Sequence, residues 1–270
     1  MFENSEKIVQ DAYNRMNMSE HPWTKYQKKE VDFILSKLNV EKIHQIIDFG
    51  CGNGRHALEL ASRGFNVLGI DYSGRNIQIA QSQSQTDHVR FMRADCRNVE
   101  LDEKADLALC LYDVVGSFVN QYDNLEIIKN IYKHLKPSGY LVMSVMNLEL
   151  TQHIAKYVVE NVQNELGALV KLRPSRTMQN SGNIFNPEYF LLESETGVVY
   201  RKEQFENDDD LSAEYAIRDK RYSKAEICGM LKQAGFLIAD VRYVQAGRWE
   251  NALQAQDAAA KEILIFAVKG

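Results

Sequence analysis

The sequence has no run of about 18 consecutive apolar residues, the least that crosses a bilayer as a helix. It opens Met1-Phe2-Glu3-Asn4-Ser5-Glu6-Lys7, without the basic and then apolar segments of a secretory leader. Cysteine is scarce. Cys51, Cys96, Cys110 and Cys228 are too scattered for paired zinc ligands and too few for a disulfide framework. They read as reduced thiols of a cytoplasmic protein. Only 4 prolines and 15 glycines occur, which excludes collagen-like or linker-dominated architecture. Positive charge is not in excess: 32 Lys+Arg face 37 Asp+Glu, a formal charge of −5. No broad positive field is available for a phosphate backbone, so nucleic acid is disfavoured as a partner. What is present is a 45% hydrophobic, 26% charged chain of 270 residues, enough for one large domain or two small ones.

In the first half, short apolar runs alternate with helical patterns. Strands are predicted at Ile43 to Phe49, Phe65 to Ile70, Val89 to Met92, Ala105 to Tyr112 and Gly139 to Met146, the last after a Lys136-Pro137-Ser138-Gly139 turn. Helices are predicted at Arg55 to Ser62, Ser73 to about Gln83, and Tyr122 to Leu135, the last with Leu125, Ile128, Ile131, Tyr132 and Leu135 on one stripe. Near the end, Ser223-Lys224-Ala225-Glu226 has the spacing of a capping box, and Gly235 stops the helix that follows. Two more strands, Phe236 to Val244 and Ile263 to Val268, bring the sheet to seven. The expected class is α/β, a doubly wound and mostly parallel seven-stranded sheet.

Residues 148 to 222 break this alternation. Leu148 to Glu165 reads as helix, and Asn183 to Arg221 as antiparallel strands, with Leu211, Ala213, Tyr215 and Ile217 alternating against polar neighbours. The division is therefore 1–147 with 223–270 as one domain and 148–222 as an inserted cap. The insertion follows the fifth strand, on the side where open α/β sheets bind ligands. A dimerisation flap is the other reading of the cap.

The chemistry concentrates at Asp48-Phe49-Gly50-Cys51-Gly52-Asn53-Gly54-Arg55, where a buried strand meets three alternating glycines and then a helix. Glycines let a ligand approach the main chain, and the helix start offers unpaired amides. A dinucleotide site wants G-x-G-x-x-G, and its third glycine would fall on Arg55. The pattern instead resembles the first motif of class I S-adenosylmethionine-dependent methyltransferases, with the Rossmann-like fold that this implies. The resemblance covers roughly Tyr26 to Asn147 and Ser223 to Val268. It implies S-adenosylmethionine as cofactor, with Asp48, Gly50, Gly52 and Gly54 around its amino-acid end. Asp71, about 20 residues further on, would accept from both ribose hydroxyls, beside Tyr72. Asp95 and the Cys96 amide would meet the adenine, Leu111 would line the site, and Tyr26 would cover the cofactor.

Leu109-Cys110-Leu111-Tyr112-Asp113 closes the fourth strand, where donor and acceptor meet. The two prolines that base N-methyltransferases carry here are missing, which disfavours base methylation. Gly116-Ser117-Phe118 loosely resembles small-molecule N-methyltransferases of the glycine and sarcosine type. Methyl transfer from a sulfonium needs alignment and exclusion of water above all, so no obligatory triad is expected. Tyr112 and Asp113 are the candidate catalytic pair, with Tyr112, His153 and Tyr222 as candidate acceptor contacts. The expected acceptor is a small molecule methylated on nitrogen or oxygen. The alternatives are a macromolecular acceptor (tRNA, peptide or protein) and a fold that binds the cofactor without turnover. No metal is expected: Glu206-Asn207-Asp208-Asp209-Asp210 reads as an exposed turn, and the Lys171, Arg173 and Arg176 cluster as a solvated loop. A homodimer through the cap is a further expectation.

Overall fold

The computed structural model describes residue 14 and residues 21–176, 183–205 and 213–270. Five parallel strands follow the apolar runs: β1 (Gln45–Phe49), β2 (Asn66–Asp71), β3 (Val89–Arg93), β4 (Ala105–Cys110) and β5 (Leu135–Met146). The predicted turn before β5 is absorbed as an irregularity. Ala105 pairs with Leu135 and Leu107 with Tyr140, while Ser138 takes φ +60°. After a second, smaller sheet come the two closing strands. Glu262–Lys269 pairs antiparallel with β5, and Phe236–Val244 pairs antiparallel with Glu262–Lys269. The seven strands thus lie in the order β3, β2, β1, β4, β5, Glu262–Lys269, Phe236–Val244. Among the described residues this is the doubly wound, mostly parallel sheet expected.

Both faces of the sheet are covered, which is why the central strands are apolar throughout. Helices α1 (Gln27–Ser36) and α2 (Arg55–Ser62) bury Val31, Ile34, Ala57 and Leu60 against Ile46, Leu107 and Leu109 on one face. Helix α3 (Gly74–Gln83) begins after β2, where Ser73 caps it by accepting from the Asn76 amide. On the other face α4 (Gln121–His134) and the helix Lys224–Gln233 bury Ile127, Ile128, Ile131, Ile227 and Leu231. The capping box expected at Ser223 is present in full, with Glu226 as its reciprocal partner.

The insertion differs from its expected form at its start. Helix α5 (Leu148–Ile154) ends eleven residues before Glu165, because Tyr157-Val158-Val159 forms a strand, β6 (Tyr157–Val159). The β-branched pair gains ladder hydrogen bonds against β7 (Phe190–Glu193) that a longer helix would forgo. A short helix, α6 (Leu166–Lys171), comes between them. Strands β7, β8 (Val198–Phe205) and β9 (Ala213–Lys220) then form the antiparallel part of a four-stranded sheet, to which β6 adds in parallel. The remaining elements are therefore α7 (Lys224–Gln233), β10 (Phe236–Val244) and β11 (Glu262–Lys269). Most of the described aromatics between residues 148 and 222 are core, with Phe190, Phe205 and Tyr222 fully buried. The acidic run 206–210 and Leu211 lie outside the described residues.

The second sheet is fastened beside the carboxyl ends of β4 and β5. The Lys220 amide donates to the Gly116 carbonyl at 2.7 Å, and the Tyr222 amide to Met146 at 3.0 Å. Gly116 permits the close approach: a Cβ there would stand 2.5 Å from the Lys220 oxygen.

Candidate functional site

Past β1 the chain turns sharply enough that the amides of Gly50 and Cys51 both donate to the Ile70 carbonyl, at 2.7 and 2.9 Å. Gly50 sits at φ +73°, and a Cβ on it would lie 2.3 Å from Val114 Cγ2. Only glycine satisfies both conditions. The Gly52 amide donates to Asp71 Oδ2 and the Ser73 amide to Asp71 Oδ1, each at 2.8 Å. Asp71 therefore staples the glycine loop to the end of β2. It is not the cap of α3, a task that falls to Ser73. Burial raises its pKa, against the pull of the two amides. Each carboxylate oxygen keeps a second acceptor site, as a pair of hydroxyls would require.

Asp48, the penultimate residue of β1, is fully buried beneath the loop, and its Oδ2 has no hydrogen-bond partner among the described residues. Burial lifts its pKa to about 7; Arg55 opposes the rise and Asp71 adds to it. An orphaned buried carboxylate oxygen beneath a loop of three glycines is a strong acceptor awaiting a donor. The α-ammonium of S-adenosylmethionine fits that requirement, and the Asp71 acceptors fit its ribose. The Asn53 side-chain oxygen, also buried without a partner, is a further acceptor on the same loop.

The remaining expected cofactor contacts are spread along the same edge. Tyr72 is exposed, and Cys96 and Leu111 are buried. Asp95 holds Arg97 through both oxygens, with Arg97 Nη2 at 2.7 Å from Oδ2, and this pairing lowers its pKa despite partial burial. The Arg97 guanidinium lies 4.2 Å above the Phe118 ring.

Glu30 was not visible from the sequence. It is buried on α1, where its carboxylate receives four donors: Arg55 Nη1 at 2.8 Å and His56 Nε2 at 2.8 Å on Oε2, the Tyr112 hydroxyl at 2.7 Å and the Gly247 amide at 3.0 Å on Oε1. Burial alone would raise its pKa, but His56, Arg55 and Tyr112 together hold it at about 2. Burial and Arg55 lower that of His56 to about 4, so the ring is neutral near pH 7. One signal could have found Glu30: it stands four residues before Ile34, on the stripe that faces the sheet.

Tyr112 thus presents its hydroxyl to Glu30, with its ring under the Arg55 guanidinium at 4.5 Å. Its backbone takes φ +70°, rare for a residue with a side chain. The turn is held from the other side by Ser144 Oγ, which accepts from the Tyr112 amide at 2.6 Å and donates to Glu262 Oε2 at 2.9 Å. Burial, with Glu30 nearby, pushes the pKa of Glu262 up to about 8. Tyr112→Phe leaves a lone pair of the buried Glu30 carboxylate without its donor. A stability loss of about 1–3 kcal/mol is expected, read from the urea midpoint.

Around Tyr112 the other expected site residues separate. Asp113 is half-buried and interacts electrostatically with Arg221 and Glu262. Arg221 is fully buried, donating to Asp219, Thr151 and the Ile184 carbonyl. Tyr222 is buried, with its hydroxyl deprotonation made harder by burial. His153 is exposed on the last turn of α5. Tyr26 remains partly exposed; its ring covers Gly247, where a Cβ would be 2.2 Å away. Lys171, Arg173 and Arg176 are exposed. Among the described residues no cluster of His, Cys, Asp or Glu could hold a metal ion, and no helix is long and apolar enough to cross a membrane.

Strand order, glycine loop, orphaned Asp48 and the Asp71 staple have the arrangement that an S-adenosylmethionine-dependent methyltransferase requires; the chain is such a methyltransferase, and S-adenosylmethionine is its methyl donor. The profile of a family described as "Methyltransferase domain" matches residues 46–139. The ubiquinone biosynthesis O-methyltransferase of Rickettsia prowazekii is 25% identical over 220 residues, spanning 75% of this chain and 84% of that protein. Among solved structures, the CcbJ methyltransferase of Streptomyces caelestis superposes with a TM-score of 0.65 at 12% identity, covering 89% of this chain and 88% of that one. An S-adenosylmethionine-dependent methyltransferase of Clostridium acetobutylicum gives 0.60 at 18% identity, covering 90% and 92%.

Proposed function

We propose that this enzyme methylates an oxygen or nitrogen atom of a small-molecule acceptor, with a hydroxyl as the leading case. The carrying observation is the second sheet fastened at the ends of β4 and β5, where Phe185 joins Met146, Leu150 and the Tyr112 ring in one apolar cluster. Such an arrangement supports a shielded acceptor site, and it supports reading residues 148–222 as a cap. The name of the Rickettsia relative supports oxygen as the methylated atom. When bound, the cofactor supplies a methyl group already activated by its cationic sulfur.

The protein's part is alignment and exclusion of water. Asp48 receives the ammonium, Asp71 the ribose hydroxyls, and Asp95 with the Cys96 amide the adenine. Tyr26 covers the cofactor from the Gly247 side. Tyr112 contributes its ring and its turned backbone, since its hydroxyl is engaged by Glu30. Asp113 takes the proton of a hydroxyl acceptor. Tyr222 and His153 remain acceptor contacts of this proposal. Four unpaired thiols support a cytoplasmic setting. A homodimer through the cap would bury Val158, Leu166 and Val170, which are exposed on β6 and α6. The acidic charge balance argues against nucleic acid as the acceptor.

The test is formation of S-adenosylhomocysteine with panels of phenols, catechols and amines, set beside bulk tRNA and unfolded protein. Turnover confined to the macromolecular panel would overturn the reading.

The Asp48 assignment carries a pH signature. Ligand-free Asp48 holds a proton below about pH 7, and an ammonium demands the carboxylate, so binding must expel that proton. Affinity is expected to weaken by up to about tenfold per pH unit below 7, and to fall again at alkaline pH as the ligand's own ammonium loses its proton. Calorimetry in buffers of different ionisation enthalpy reads the proton release directly. Asp48→Asn should abolish the weakening on the acid side.

A further inference from the structure

Arg55 is the first residue of α2, directly after the glycine loop that lies over Asp48, and its charge reaches two buried carboxylates. One is Glu30, which it touches at 2.8 Å; the other is Asp48, which feels its charge. The charged and titratable groups acting on Asp48 are Arg55, Asp71 and the thiols of Cys51 and Cys110, and Arg55 is the cation among them. Those acting on Glu30 are His56, Arg55, Tyr112 and Glu262. With four donors on its two oxygens, Glu30 is saturated and ties α1 to three other segments: the start of α2, the end of β4 and the loop before β11. The guanidinium it holds is further pinned over the Tyr112 ring.

We infer that Glu30 is a positioning residue of the methyl-donor site: by holding Arg55, it keeps that cation from capturing Asp48 and leaves Asp48 open to the ammonium of the cofactor. The inference rests on the Asp48 assignment made above. Two carboxylates compete for one guanidinium, and the geometry awards it to Glu30. Removing the charge of Glu30 takes away the carboxylate that holds the buried guanidinium at 2.8 Å, and the proposal is that Asp48 then draws it. The cofactor must then displace Arg55 as well as a proton.

Calorimetric titration with S-adenosylhomocysteine from pH 5 to 9 tests this on the full chain. For Glu30→Gln, Kd at pH 8 is expected to rise about tenfold or more. The pH midpoint of binding should move down by about half a unit or more, because Arg55 favours the Asp48 carboxylate. In Glu30→Gln/Arg55→Met the competing cation is gone. Affinity at pH 8 should return to within about threefold of wild type, and the midpoint should rise above it. A weaker Kd with an unmoved midpoint would mean general structural support only and would overturn the inference, as would a double variant no better than the single one. Glu30→Asp, which keeps the charge but shortens its reach, carries the test if Glu30→Gln does not fold: both changes are expected at smaller size, and a wild-type Kd and midpoint would overturn the inference. A wild-type protein with no weakening on the acid side would instead count against the Asp48 assignment itself.

Discussion

Replacing Asp71 with alanine is expected to weaken S-adenosylmethionine binding by a hundredfold or more while the chain stays folded. Two effects combine. The variant loses the acceptors for both ribose hydroxyls, at about 1.5–3 kcal/mol for each hydrogen bond to a charged group. It also frees the Gly52 and Ser73 amides, so the loop is no longer held in its binding form before the cofactor arrives. The sheet does not depend on this carboxylate, because Gly50 and Cys51 remain bonded to the Ile70 carbonyl. Calorimetric titration gives the affinity, and far-ultraviolet circular dichroism the fold. Affinity within threefold of wild type would contradict the assigned contact.

The second large effect is expected at Gly50. Gly50→Ala forces a side chain into the left-handed region at about 1–2 kcal/mol. It also drives the new methyl into Val114, and overpacking of that kind costs about 1–3 kcal/mol. A loss of about 2–5 kcal/mol in denaturant stability should result, together with loss of cofactor binding. Adding Val114→Ala removes the two methyls at 2.3 and 2.8 Å and should recover the packing part alone. The residue of the deficit is then the backbone strain, and the two substitutions should be strongly non-additive. Full additivity would mean that the loop and Val114 do not meet in solution.

The donor half of the site was legible because it is local. A strand, three glycines and a helix start lie within a dozen residues, and a second acid follows at the end of the next strand. Asp48 and Asp71 were singled out by spacing alone. The roles of Asp71 divide less simply than the sequence suggested, since its oxygens serve the loop's own amides as well. Ser73, which is adjacent in sequence, caps the helix.

The acceptor half was not local and was read less well. Tyr112 was expected as a catalytic residue and acceptor contact, and nothing near it in sequence showed that Glu30, far upstream in the chain, would engage its hydroxyl. The helix expected to run from Leu148 to Glu165 stops at Ile154 because Val158 and Val159 find a partner strand some thirty residues downstream. No window of sequence contains that partner, so the periodicity of the segment could not reveal the competition.

Sequence by itself determined the alternation of strands and helices, the glycine turn and the acids that flank it, because each follows from near-neighbour sterics and hydrogen bonding. Only the tertiary structure decided which buried carboxylate holds Arg55, which way Tyr112 faces and where the insertion docks. Those outcomes depend on charges and backbone edges from distant segments meeting where water is excluded. In such a place an ion pair or an unfilled ladder bond outweighs local preference.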